Sequence, residues 1–535
     1  MTTATAKARG RSRGTAPRLT PLALALGAVL VAGECQAAWK VTPNVSVRET
    51  YTDNATQQSG EQSQSQLITD LSPGFTVAEN SRRLKLGANA QFHLFGYTNN
   101  DPNSKRGLAD SSYQYDAQAQ LEAVDELLYV DANASRIRAS TSAFGQLGDS
   151  SGSSLYSNVN RSDITVWSIS PYLHHRFGSF ADATVRLTRD SVQGGTAGFG
   201  DSMASTRSAF VMRPGDNTFG WKLSYMHQDL AIRNAGITAT TVGGDSSSEN
   251  EVAGISYRLQ RTLSLTADVG YDKYEYAANQ RTAGRRWSAG FIWAPSLRTN
   301  VQASFGHRYF GATGMLAATH RSRHTVWSLD YNDDVTTSRS QFLLPAAIDT
   351  AALLDRLFSS QVPDPVQRQQ AVQAYMASAG LPASLAQSIN YLSNRYVRDK
   401  RLQGAVVWRM PHSDATFSVY RDQRTALSLQ QSDSALLGSQ QSALNDNVRQ
   451  RGASLQLSHR LSGRTEVLAG IDAIHVRSLV TDIENYSRAI HAGLNHHFSR
   501  YAVGSVDVRQ MRGGAGINLP NFKENAVVAV YSVRY

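Results

Sequence analysis

The side chains whose types and spacing could support catalysis or metal binding are few, and most sit in arrangements that oppose it. Glu122, Asp125 and Glu126 cluster closely, and two carboxylates facing a sugar across roughly 5–10 Å could hydrolyse a glycosidic bond. A solvated turn explains the same cluster with less. Asp333–Asp334, His174–His175 and His496–His497 are adjacent pairs, so in a strand their side chains point to opposite faces and cannot converge. His320 and His324 could approach each other across a turn, but Arg321 and Arg323 lie between them and oppose a bound cation. Gly513-Gly514-Ala515-Gly516 precedes a strand pattern rather than joining strand to helix, so it is not a phosphate cradle. Ser and His are plentiful, yet no local motif singles out a nucleophile. The one cysteine, Cys35, excludes a disulfide framework and Cys-based metal centres. The expectation is a protein with no catalytic residues, no metal site and no cofactor.

The elements that carry these residues are read from periodicity. Leu84, Leu86, Ala88, Ala90, Phe92 and Leu94 alternate with polar or small neighbours, as do Ala181, Ala183, Val185 and Leu187, then Leu263, Leu265, Ala267, Val269 and Tyr271. Strict alternation means a strand with one apolar and one polar face. Ordinary strands run to about five or six residues, and these are longer, as a tilted membrane-crossing strand requires. Short connections such as Phe177-Gly178-Ser179 and Ala294-Pro295-Ser296 alternate with long Gly/Ser/Asn-rich ones such as 144–160 and 430–446. That asymmetry is the one expected between the periplasmic turns and outer loops of a barrel. Trp39, Tyr51, Tyr97, Trp221, Tyr274, Tyr276 and Trp408 fall near strand ends, where interfacial girdles form.

Both ends of the chain agree. Lys7, Arg9, Arg11, Arg13 and Arg18 precede an apolar run from Leu19 to Ala32, followed by Cys35-Gln36-Ala37. Residues 1–37 read as a secretory signal peptide. The mature chain then holds 48 basic and 42 acidic groups, spread without a basic block, so no nucleic-acid partner is expected. At the other end Val527, Ala529, Tyr531, Val533 and Tyr535 occupy alternate positions, and the chain closes on an aromatic ring. This resembles the signature that outer-membrane barrels present to their assembly machinery.

The resulting fold class is all-β: residues 38–535 form a single transmembrane antiparallel β-barrel of about 22 strands, with 20 possible, in the outer membrane of a Gram-negative bacterium and in contact with its lipid. The segment 338–394 departs from the β pattern. Ala346–Ser359 and Pro365–Ala379 have helical spacing, which predicts a two-helix insert on the outer side, either decorating a loop or folding into the mouth as a constriction. Face assignment puts Arg83, Lys85, Gln91, Tyr129, Arg186, Asp268, Arg286, Glu466 and Asp472 toward the lumen.

Several short motifs carry a family resemblance. Trp39-Lys40-Val41-Thr42-Pro43, Tyr51-Thr52-Asp53-Asn54, Leu71-Ser72-Pro73-Gly74, Arg308-Tyr309-Phe310-Gly311, His320-Arg321 and Val335-Thr336-Thr337-Ser338 follow one another in order. Their arrangement resembles the outer-membrane β-barrel family associated with PEP-CTERM/exosortase systems, over nearly the whole mature chain. The resemblance implies a role in exopolysaccharide secretion or surface assembly, as a passive conduit working with exopolysaccharide and other secretion-locus proteins. A general diffusion porin and a non-transporting structural or adhesive surface barrel are the alternatives. A TonB-dependent transporter carries a sizeable plug ahead of its barrel. Here the first strand begins almost at the cleavage site, which disfavours that class.

Overall fold

Alternating sequence and short polar turns fold the chain into one closed sheet. The computed structural model describes residues 39–60, 63–99, 107–147, 155–194, 201–213, 218–233, 245–276, 280–343, 396–427, 447–481, 483–514 and 521–534. Residues 1–38, which include the expected signal peptide, lie outside the described residues. The strands are β1 (Lys40–Thr52), β2 (Gln66–Asn80), β3 (Leu84–Tyr97), β4 (Ser111–Val124), β5 (Leu128–Ser140), β6 (Arg161–Phe177), β7 (Ala181–Gly194), β8 (Asp201–Met212), β9 (Phe219–Arg233), β10 (Ser246–Gln260) and β11 (Leu263–Tyr276). The second half holds β12 (Gln280–Ser296), β13 (Thr299–Arg308), β14 (Gly311–Arg321), β15 (Thr325–Thr337), β16 (Tyr396–Arg409), β17 (Ser413–Ala426), β18 (Val448–Arg460), β19 (Thr465–Ser478), β20 (Glu484–His497), β21 (Ala502–Gly514) and β22 (Phe522–Arg534).

Each strand pairs antiparallel with the next, and β1 closes the ring on β22, from Asn44 opposite Arg534 to Thr52 opposite Ala526. Closure leaves no free edge, the condition for backbone polar groups to survive in lipid. The 22 strands are those the alternation predicts, with ends moved by a few residues. The connections at the end shared with the chain termini are short. Gly178 adopts φ +57 in one of them, a left-handed conformation that costs a glycine little.

The two faces have opposite chemistry. Val269, Leu223, Ile255, Trp287, Ile490 and Val508 are exposed on the outer wall, while Asp272, Ser418, Asp422, Arg424, Gln450 and Glu524 are buried inside. A soluble protein rarely exposes so continuous an apolar band; an acyl-chain environment requires it. Trp39, Tyr51 and Trp408 are exposed as girdle residues should be, but Tyr97 and Tyr274 are not. Their parity turns them inward, where Tyr97 donates to the Ala109 carbonyl and Tyr274 accepts from Arg308. The side chain of Tyr276 lies outside the description.

The expected two-helix insert is not borne out. Among the described residues the β15–β16 connection contains one short helix, α1 (Ser338–Leu343), which starts before either predicted helix. The stretches Ala346–Ser359 and Pro365–Ala379 lie outside the described residues. The helix is held by a wall across the ring, with β9–β14 between. Phe342 packs against Ala139, Ile164, Val166 and Val192, and the Arg339 Nε donates to Ser202 Oγ (3.0 Å). Phe342 and Leu343 on that apolar cluster, Arg339, and Gln341 donating to Asp399 on β16 (3.2 Å) set its place, which a search for helical periodicity does not detect.

A second segment crosses from the other side. Residues 141–147 follow β5, yet Ala143, Phe144 and Leu147 pack on Val448 and Val476 of β18 and β19. Asn485 on β20 donates to the carbonyls of Ala143 (3.1 Å) and Gly145 (2.8 Å). Gln146 donates to the carbonyls of Thr56 and Gln57, both at 2.9 Å. The lumen is therefore spanned by two straps built from outer connections.

Candidate functional site in the barrel lumen

The inner wall from β8 to β15 is hollowed into a cavity of about 480 Å³. Its charged members come from strands that bring every second residue inward. Lys222 Nζ lies 2.8 Å from Asp268 Oδ1, and Ser288 donates to Asp268 Oδ2 (3.2 Å). Asp272, fully buried, accepts from Arg286 Nη1 (3.3 Å) and from Arg308 Nε (2.6 Å). Arg308 also donates to the Tyr274 hydroxyl (3.1 Å) and to Asp334. A buried carboxylate between two guanidinium groups fixes both at low conformational cost, since each planar fork has a set direction.

Tyr129 and Arg186 meet on a different part of the wall, near the periplasmic end of β5–β7. Tyr129 stacks on Tyr172 with ring centroids 5.1 Å apart, and the Arg186 guanidinium lies 4.0 Å over the Tyr172 ring. Arg186 Nη1 reaches Asp131 Oδ2 at 2.8 Å. Sequence reasoning singled out Tyr129 and Arg186 separately. The pairing of Tyr129 opposite Tyr172 comes from strand register, which no local pattern reports.

The other predicted lumen residues are dispersed. Lys85 and Gln91 lie on β3 opposite Gln120 and Gln114. Glu466 sits at the periplasmic end of β19, and Asp472 accepts from Gln456 Nε2 at 3.3 Å. Arg83 differs from its assignment: it lies in the β2–β3 turn, with Nη2 3.3 Å from Asp125 Oδ1. Glu122 accepts from the Glu126 amide (2.7 Å) and Asp125 pairs with Arg83, so the acidic cluster is tied into a turn. Asp333 and Asp334 do diverge, Asp333 to Arg398 and Asp334 to Arg308. Val527 and Tyr531 face outward, and Tyr535 lies outside the described residues.

One constellation escaped sequence reasoning. Ser72, His93 and Asp70 are buried together, with His93 Nδ1 2.9 Å from Ser72 Oγ and 3.0 Å from Asp70 Oδ2. A nucleophile relay uses both ring nitrogens, one toward serine and the other toward aspartate. Here one nitrogen serves both, so the geometry is that of a structural network. Among the described residues no group of His, Cys, Asp and Glu is arranged to hold a metal ion.

No family model matches the sequence, and no curated protein matches it. Solved structures do. The FrpB iron transporter (F5-1 variant) from Neisseria meningitidis is 9% identical over 92% of this chain and 82% of its own, with a TM-score of 0.50. A mutant of the ferric enterobactin receptor PfeA from Pseudomonas aeruginosa, in complex with enterobactin, is 9% identical over 94% and 82%, with a TM-score of 0.48. The siderophore receptor PirA from Acinetobacter baumannii is 7% identical over 93% and 80%, with a TM-score of 0.48. At such identities the likeness is one of fold. The chain is a closed 22-stranded barrel of the Gram-negative outer membrane.

These findings correct the functional expectation. Exopolysaccharide secretion through a passive conduit, the diffusion porin and the non-transporting surface barrel are all set aside, and the exopolysaccharide and secretion-locus partners with them. The solved barrel that shares this fold at a TM-score of 0.50 is an iron transporter. Porins with an aqueous channel have 16–18 strands, whereas 22-stranded transporters have filled lumens. Among the described residues, the chain that folds inward comes from outer connections.

Proposed function

We propose that this chain is an outer-membrane receptor that takes up a bulky solute, with an iron chelate as the first class to test. The observation that carries the reading is the pair of straps across the lumen, α1 on β6–β8 and residues 141–147 on β18–β20. A 22-stranded wall encloses a wide passage, and chain anchored across it by buried contacts obstructs that passage. A receptor needs such an obstruction, because it must bind its solute before passage. The strand number and the fold shared with an iron transporter support the same reading. The sequence resemblance to the PEP-CTERM/exosortase-associated barrels is kept as a proposal of lineage, without its export role.

The test has two parts. The purified protein in a planar bilayer is expected to give no steady open-pore conductance. Expressed in a host stripped of its own siderophore receptors, it is expected to restore accumulation of radiolabelled iron from at least one ferric chelate. Large, permanently open conductance steps together with no iron accumulation would refute the proposal.

A further inference from the structure

We propose that the hollow between β8 and β15 binds a hydroxylated carboxylate, with its anionic oxygens on Lys222 and Arg286 and a hydroxyl donated to Asp334. This names a solute class for the uptake reading and rests on it. The volume falls in the range of small-molecule sites, about 300–1,000 Å³. The hollow exists because the wall lacks side chains at chosen places. A Cβ on Gly254 would collide with Asp268 Oδ1 and come within 2.5 Å of Lys222 Cε, and one on Gly306 would run into the Trp287 carbonyl and Ser288. Lys222 and Asp268 therefore lie flat across a glycine, leaving the space above them clear.

The charges around the hollow are polarised. On the β9–β12 side, Lys222 and Arg286 each meet a carboxylate, yet their side chains remain 44% and 26% exposed. An ammonium has three donors and a guanidinium five, so both retain capacity toward the cavity. Asp272 beneath them acts as a positioning residue, because it is fully buried and aims Arg286. On the β15 side, Asp334 Oδ1 accepts from Arg308 and from the Val335 amide (2.7 Å), and the carboxylate is 49% exposed. It repels an anion but accepts from a hydroxyl. Met315 and Asn332 complete the lining between the two sides. A ligand with carboxylate at one end and hydroxyls along its length meets both demands, and a plain dicarboxylate meets one.

The experiment is equilibrium binding to the full-length mature protein in detergent, by calorimetry, with glucarate and adipate as probes. These are six-carbon diacids that differ in hydroxyls. Glucarate is expected to bind more tightly than adipate. Lys222→Gln and Arg286→Gln should each weaken glucarate by roughly tenfold, the scale of one hydrogen bond to a charged group. Asp334→Asn should weaken glucarate and leave adipate unchanged. Lys85→Gln, on the β3 wall, should change neither. Folding of each variant is checked by gel mobility without heating, and Lys222→Met replaces any variant that fails. Absence of glucarate binding, equal affinity for the two acids, or equal loss in Lys85→Gln would overturn the inference. Iron accumulation measured in the same strains separates the readings: uptake intact with no glucarate binding sinks this site alone.

Discussion

Arg339 donates through Nη2 to the backbone carbonyl of Asp190 at 3.1 Å and to its carboxylate, with both side chains buried. The two residues stand 149 positions apart, one in α1 and one on β7. Their contact is the polar half of the strap; Phe342 against Ile164, Val166 and Val192 is the apolar half. Removing one partner of a buried ion pair typically costs about 3–5 kcal/mol, because the survivor stays desolvated. Asp190→Ala and Arg339→Ala should each loosen α1, and the double variant should be less destabilised than the sum of the two. The coupling is read from a double-mutant cycle on urea unfolding in lipid vesicles. Strict additivity would mean that the pair carries no interaction.

The outer and inner walls make opposite demands on neighbouring residues of one strand. Ala88 and Asn89 are adjacent in β3, and alternation turns Ala88 outward with Leu94 and Asn89 inward with His93. Arginine on the lipid face near the bilayer midplane costs about 2–4 kcal/mol, and far less in a wet lumen. Ala88→Arg should lower folding stability by that amount, while Asn89→Arg should stay within about 0.5 kcal/mol of wild type. Equal effects at the two positions would mean the faces have been assigned the wrong way round.

The barrel was legible in the sequence because its physics is local. Alternation such as Leu263 to Tyr271 needs only each residue's own neighbours, and lipid on one face with water on the other writes it into every strand. Turn residues and strand length supplied the count. What closes the lumen was not legible, since it depends on pairs that no local pattern joins. Phe144 reads as one aromatic residue in a Gly/Ser-rich loop, and only the fold sets it against Val448 and Val476. Arg339 falls at the edge of the non-β segment, outside both predicted helices. Lumen residues such as Asp268 and Arg286 were found by face parity, but their grouping around one hollow follows from register across β9–β15.

The 141–147 strap is tied to β18–β20 by side chains rather than by strand pairing, which makes it separable from the barrel. Asn485 supplies two side-chain hydrogen bonds to it, to the carbonyls of Ala143 and Gly145. Asn485→Ala removes both, at about 0.5–1.5 kcal/mol for each net hydrogen bond. Phe144→Ser removes the apolar anchor on β18 and β19. The combined variant should still fold, because neither side chain takes part in the backbone pairing that closes the barrel. Its 141–147 backbone should lose hydrogen-exchange protection while β18–β20 keep theirs.

The two straps dock on different walls, and their described anchors share no residue. Distant sites without common partners behave additively. Releasing one strap should therefore leave the other in place and the lumen obstructed. Arg339→Ala with Phe342→Ala, or Asn485→Ala with Phe144→Ser, should each give only brief, small conductance events in a planar bilayer. The four substitutions together should give sustained steps, since the 22-stranded wall itself encloses a wide passage. If either pair alone opens a sustained pore, that strap is the whole obstruction. If the fourfold variant stays shut with its barrel intact, the straps are not what closes the lumen.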